Sequence, residues 1–297
     1  MKVAIIGNCQ SAALQKIFRA ASGNINVAPI KPVHMLSTTE IPSLYEEVSG
    51  SDLILCQPIS PTYRGLGIGT ESLKSIKKTN ANFITIPNIH FDGFFPFLMY
   101  AKNKLGDHVT PKTPGYAVLP GDYHDSAVMA AAAIGRPQNE ISDLMRSAEL
   151  LRNSVSENWN KSLAAINERE AICDLKISPI IEKHGYEHQL FWTFNHPTNK
   201  MLDFVLAELF RLSGLDPISI KHHPEYLGEI KWSVAEGVKE VLGLQFHTND
   251  YKYGKYSDYD LYMSELLSIY AERGADLIES NRNEYKFKLA YDLMAIK

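Results

Sequence analysis

Two residues far apart in the chain have the chemistry of a nucleophile and its base. Cys9 stands in IIGNCQSAALQKIF, residues 5–18, where an apolar run passes through Gly7 and Asn8 directly into a helical pattern. A sulfur at the start of a helix faces unpaired backbone N–H groups and the positive end of the helix dipole, which favours thiolate over thiol. The same N–H groups, from Cys9 and Gln10, can hold a developing oxyanion. His196 stands with Pro197 in FWTFNHPTNKMLDFVLAELF, just ahead of a second amphipathic helix. That position disfavours the imidazolium and leaves the ring available as a general base. The plain alternatives are that Cys9 fills a tight turn as a small apolar side chain and that His196 is a loop or capping residue.

An N-terminal strand followed by a nucleophile turn, with a late His-Pro opening a helix, resembles the SGNH (GDSL-type) hydrolase plan, GNC standing in place of GDS. The strings IIGNCQ and NHPTN are similar to those of the WcbI family, to which acetyl transfer in capsular-polysaccharide biosynthesis and coenzyme A binding are ascribed. The resemblance implies Cys9 as nucleophile, His196 as base, and Asn88 in FITIPNIHFDG as an oxyanion donor beside Gln10. It departs from the SGNH pattern at Thr193, where that family has an Asp three residues before the His. The orienting group would then come from elsewhere, for instance Asp122 or Asp125 in GDYHDSA, or be absent, although turn and cap chemistry accounts for those two residues equally well.

A coenzyme A site needs positive charge near a glycine turn or helix start. YRGLGIGTESLKSIKK offers Arg64, then Gly65, Gly67 and Gly69, then Thr70 leading a helix with Lys74, Lys77 and Lys78. The glycine spacing matches neither a dinucleotide fingerprint nor a P-loop, and a flexible loop before a solvated basic face is the competing reading. No metal site is expected: His184 and His188 lack the glutamate of HExxH, and His222 and His223 are adjacent. The tyrosines of YKYGKYSDYDLYM, residues 251–263, either stack on sugar rings or, as tyrosines in a loop and helix start more often do, pack into the core or against a subunit neighbour.

The elements that must position these groups follow from periodicity. Val3–Ile6, Ile25–Ile30, Leu53–Cys56 and Phe83–Ile86 read as short strands alternating with helical stretches such as Glu71–Lys78, the pattern of a parallel sheet. From Asp125 onward helical patterns dominate, including residues 126–135, 141–172 and 199–214. The expectation is an α/β fold: an SGNH-like parallel core with helices on both faces, mainly in residues 1–100, and helical additions over 125–297, in a single domain. The 30 basic residues are spread without a block and net charge is −4, which argues against a nucleic-acid-coating surface. Three widely spaced cysteines, no CxxC pair, no long apolar run and no signal-peptide pattern point to a reduced, cytoplasmic protein without a membrane span.

Three functions fit these readings. The first is a coenzyme A-dependent O-acetyltransferase moving an acetyl group from acetyl-CoA to a sugar hydroxyl. The second is an SGNH-like esterase or thioesterase with water as acceptor. The third is a non-catalytic protein that binds coenzyme A, a nucleotide or a glycan. The partners expected are a small-molecule acyl donor and a sugar or glycan acceptor; association into a homo-oligomer is left open.

Overall fold

The computed structural model describes residues 1–21, 25–215, 224–247 and 250–296. Along the chain run β1 (Lys2–Ile6), α1 (Cys9–Ala21), β2 (Asn26–Val27), α2 (Ile41–Ser49), β3 (Leu53–Cys56), α3 (Thr70–Ser75), β4 (Asn82–Thr85), β5 (Leu98–Tyr100), β6 (Tyr123–Asp125) and α4 (Ser126–Ile134). There follow α5 (Gln138–Arg146), α6 (Ala148–Glu170), α7 (Ser178–His184), β7 (Phe191–Thr193), β8 (His196–Pro197), α8 (Asn199–Ser213), α9 (Glu236–Leu242), α10 (Tyr259–Arg273), α11 (Ala275–Asn281) and α12 (Tyr285–Ala295). The chain divides into two compact units. The first is Met1–His90 with Ala164–His184 and His196–Leu227; the second is Phe91–Leu163 with Gly185–Asn195 and Gly228–Lys297.

The first unit is an α/β layer built on a parallel sheet of order β2-β1-β3-β4. Ile6 pairs with Cys56 and Cys56 with Thr85, so the three longer strands end level at one edge. Val3–Ile6 and Leu53–Cys56 are buried without interruption, as strands covered on both faces must be. Ala4, Ile6, Ile54 and Cys56 form one core with Leu44 and Val48 of α2 and Leu73 of α3. The alternation of a strand sends Val3, Ile5, Leu53 and Leu55 to the opposite face. There α1 lies along β1 and β2, and α8 along β4. Each fully buried Leu, Ile or Val contributes roughly 1.5–3 kcal/mol, so both faces are held firmly.

The two helices on that second face touch each other. Phe18 of α1 meets Phe210 of α8 with ring centroids 5.6 Å apart. The Lys16 ammonium of α1 stands 5.6 Å from the centre of the Tyr226 ring. Tyr226 belongs to a segment closed on the start of α8, where the Asn199 N–H donates to Glu225 Oε2 (3.0 Å) and Asn199 Nδ2 to the Pro224 carbonyl (2.9 Å). Helix α8 itself follows its sequence signals: Thr198 Oγ1 accepts from the Met201 N–H, and Gly214 ends the helix at φ 68°.

Strands β1 and β4 start one residue earlier than the sequence reading, and larger differences fall in three places. The strand expected over 25–30 is reduced to Asn26–Val27, because after Val27 the chain turns to place the Val33 N–H on the Gly7 carbonyl (2.8 Å). The helix expected to reach Lys78 stops at Ser75. The pattern over 141–172 is two helices, broken at Ser147, whose backbone is extended (ψ 100°) and whose Oγ accepts from the Leu150 N–H at the head of α6.

The second unit is mainly helical, with β5 and β6 paired antiparallel, Leu98 opposite Asp125. Its centre is α4, SAVMAAAAI, against which α5, α10, α11 and α12 pack. Residues 126–131 are all buried; their mostly small side chains let neighbours approach from every side. The tyrosines of 251–263 prove to be core: Tyr251, Tyr253, Tyr256 and Tyr262 are buried and cluster in ring contacts around Trp232 and one another. Asp125 caps α4, its Oδ1 accepting from the N–H groups of Ala127 and Val128, while its Oδ2 accepts from the Tyr259 hydroxyl at 2.6 Å. No helix among the described residues is long and apolar enough to cross a membrane.

Burial pushes the Asp125 carboxyl up to about 6, against the hydrogen bonds from Tyr259, Ala127 and Val128 that pull it down. The unfolded chain, with an ordinary aspartate, gives up this proton first as pH rises from about 4 to about 6, so the group withdraws stability over that window and the full loss stands above it. All three tryptophans of the chain, Trp159, Trp192 and Trp232, lie in this unit and report its unfolding. Urea unfolding followed by tryptophan fluorescence should therefore show Asp125→Asn gaining on the parent by up to about 3 kcal/mol between pH 4 and pH 7. Parallel pH profiles for the two proteins would contradict this.

Candidate active site

The sheet order places a switch point at the carboxyl ends of β1 and β3, since the chain leaves β1 toward β2 on one side and returns to β3 on the other. Open α/β sheets bind ligands in the crevice outside such a point. Cys9 follows β1 there, and Gln57 follows β3. Cys9 is half-buried, whereas Cys56 and Cys173 are buried.

Four neutral amide side chains fasten the loops around this sulfur. The Asn8 N–H donates to Gln57 Oε1 (2.8 Å), and Gln57 Nε2 donates to Gln10 Oε1 (3.0 Å). The fully buried Gln10 amide pairs with Ile89 as a strand would, accepting from its N–H (3.0 Å) and donating to its carbonyl (2.6 Å). Asn8 Nδ2 donates to Asn88 Oδ1 at 3.0 Å. The turns after β1, β3 and β4 are thereby locked into one edge. Gly7 is required by close approach: a Cβ added there would lie 2.4 Å from Gln57 Oε1.

The electrostatics of the turn reverse one expectation. Burial raises the Cys9 thiol above its ordinary value, and the nearby N–H groups of Gln10 and Cys9 only partly offset this. The Gln10 N–H is engaged by Asn8 Oδ1 (2.9 Å), an N-cap interaction, so it is no free oxyanion donor. The remaining donors at the edge are the Cys9 N–H and the exposed Asn88, whose Nδ2 has no partner among the described residues. Burial also pushes the Cys56 thiol up to about 12 and the Cys173 thiol up to about 11.

The predicted phosphate site is divided. Arg64 is exposed and lies at the carboxyl edge, its backbone in the left-handed region (φ 49°), its Nη1 donating to the carbonyls of His34 and Leu36 at 3.0 Å. Its other guanidinium donors have no partner among the described residues. Gly65 and Gly67 supply further positive-φ turns. Gly69 allows the chain past Pro61, and the Thr70 hydroxyl is engaged by Ile59 (2.7 Å). Helix α3 then runs toward the amino edge: Lys74 sits in its last turn, and Lys78 pairs with Asp52 at 2.5 Å, just before β3. Lys78 is thus at the far end of the sheet from Cys9. Lys77 donates to the Ala81 carbonyl.

His196 is half-buried in β8, two residues before the Thr198 cap of α8, in the same unit as Cys9. Thr193, Asp122 and Asp125 belong to the other unit, and Asp125 serves as the cap described above. His184 ends α7 with its ring stacked on Phe204. His222 and His223 lie outside the described residues. Sequence reasoning missed Asn8 and Gln57; the available signal was a polar residue directly after a wholly apolar strand, LILCQ.

This fold is that of a known family of α/β enzymes. Residues 2–217 match the family model described as polysaccharide biosynthesis enzyme WcbI, and the chain belongs to that family. A solved structure of WcbI, described as a novel polysaccharide biosynthesis enzyme, superposes with a TM-score of 0.81 at 20% identity, covering 99% of this chain and 98% of that one. That structure is of the native WcbI protein without a disulfide bond between coenzyme A and one of its own cysteines. No curated protein matches the chain.

Two measurements test the edge. Alkylation of Cys9 in the unliganded protein should have a pH midpoint above that of free cysteine, about 8.5, because the thiolate forms only at higher pH; a midpoint below it would contradict the burial argument. Gln10→Leu orphans the Ile89 N–H and carbonyl and should cost about 3 kcal/mol in denaturant unfolding, a loss below about 1 kcal/mol counting against the lock.

Proposed function

We propose that this enzyme transfers an acetyl group from acetyl-CoA to a sugar hydroxyl during polysaccharide biosynthesis. The observation that carries this reading is the placement of Cys9, the half-buried cysteine, directly after β1 at the switch point of the sheet. The family description supplies the polysaccharide context, and the description of the WcbI structure, which names coenzyme A together with one of that protein's cysteines and no disulfide between them, supports a coenzyme A site in this fold. Arg64, fixed at the same edge with guanidinium donors to spare, supports anion binding there beside Gly65 and Gly67; Gly69, Thr70 and Lys74 shape the loop and the helix behind it, and Lys78 is withdrawn from the role.

Cys9 is a thiol rather than a standing thiolate, so it needs a base when it reacts. His196 fills that role. His196 lies in the same unit as Cys9, at the entrance to α8, which packs on β4 and, through Phe210 on Phe18, against α1. Cys9 Sγ attacks the thioester carbon while His196 takes the thiol proton. The oxyanion is held by the Cys9 N–H and Asn88 Nδ2. The intermediate collapses, breaking the bond to the coenzyme A sulfur, which leaves with the proton from His196 as free thiol. The sugar hydroxyl then gives its proton to His196 and attacks acetyl-Cys9; the sulfur departs and takes that proton back. Acetyl passes between two thiols nearly isoenergetically and then downhill to an oxygen ester.

A positioned base is typically worth about 10²- to 10⁴-fold and an oxyanion donor about 10²- to 10³-fold. Release of coenzyme A beyond the first equivalent, which acylates Cys9, should depend on added glycan, and turnover should fall at least about 10²-fold in Cys9→Ala and His196→Ala with the fold intact. Asn88→Ala should lose about 10²-fold in kcat. Sustained release without glycan would instead indicate a thioesterase, and unaltered turnover in either of the first two variants would remove the mechanism.

A further inference from the structure

The second unit contains a cavity of about 340 Å³ whose lining residues all belong to that unit. Its size falls within the range of small-molecule sites. The tyrosine-rich segment, which the acetyl-transfer chemistry leaves unused, contributes Tyr251, Ser257, Asp258, Tyr259 and Asp260 to its wall, and Trp232 adds a second aromatic surface. Aromatic rings offer an apolar face to C–H groups, and their polar handles need partners. Tyr251 is 6% exposed, and its hydroxyl is buried without a hydrogen-bond partner among the described residues. A buried unsatisfied hydroxyl costs about 1–3 kcal/mol, an expense that a ligand hydroxyl can relieve.

The charges on the wall narrow the ligand class. Asp125, Glu236, Asp258 and Asp260 set four carboxyl groups against two cations, Arg146 and Lys239. Lys239 is already paired with Glu236 at 2.8 Å, and Arg146 lies 4.0 Å from Asp143. A phosphate-bearing ligand such as coenzyme A meets net repulsion here. A neutral ligand with many hydroxyls does not: carboxylates accept from hydroxyls while rings cover the C–H faces between them.

We propose that this cavity binds a neutral saccharide unit.

Saturation-transfer NMR and calorimetry with the methyl glycosides of glucose, galactose and mannose, and with glucuronate as the anionic control, test this on the full chain. At least one neutral glycoside should bind, and glucuronate should bind at least tenfold more weakly. Ser257→Trp places a bulky ring at an exposed position on the wall and should weaken the neutral glycoside at least tenfold, with circular dichroism unchanged. Should that variant prove unfolded, Asp260→Lys, also at an exposed position, should narrow the preference for neutral over anionic sugar. The proposal is overturned if none of the neutral glycosides binds, if glucuronate binds as well as they do, or if a folded Ser257→Trp binds like the parent. The transferase reading fails separately: glycoside binding with no acetyl transfer would leave the cavity standing.

Discussion

Everything at the candidate site depends on one buried amide. Gln10, fully inside the protein, pairs its side chain with the backbone of Ile89 and takes a further bond from Gln57, so that three successive loops of the sheet share one fixed edge. An amide suits this place because it offers donor and acceptor together and carries no charge that burial would penalise. Gly7 is small because Gln57 must lie across it. Cys9 is held by this arrangement and is not part of it.

The neutrality of the lock has an electrostatic consequence. With amides rather than cations bracing the turn, the desolvation of Cys9 outweighs the N–H groups that would draw charge onto the sulfur. The helix start and the burial pull the thiol in opposite directions, and burial wins. A thiol kept protonated is protected from adventitious oxidation.

Much of the first unit was legible in the sequence because its core strands are continuous apolar runs with sharp ends: Leu53–Cys56 was read to the residue, and Val3–Ile6 to within one. The capped, amphipathic α8 was equally clear. The structure also takes 164–184 and 196–227 into this unit, and periodicity along a chain carries no information about which distant segments share a core. Asn88 was placed by its position after a strand, and it does meet Asn8. Lys78 was misplaced because a basic helix face looks the same whichever end of the sheet it reaches. Gln57 went unread because its role appears only when β3 is seated beside β1. The tyrosines of 251–263 had two readings; most went to the core, and the cavity wall keeps a share.

The central claim is that Cys9 carries the acetyl group. Intact-protein and peptide mass spectrometry after brief mixing with acetyl-CoA, without acceptor, tests it most directly. The account predicts one acetyl group on Cys9, absent from Cys56 and Cys173, greatly diminished in His196→Ala, and discharged when a glycan acceptor is added. An enzyme that turns over acetyl-CoA and glycan while Cys9 remains unmodified at every mixing time would contradict it.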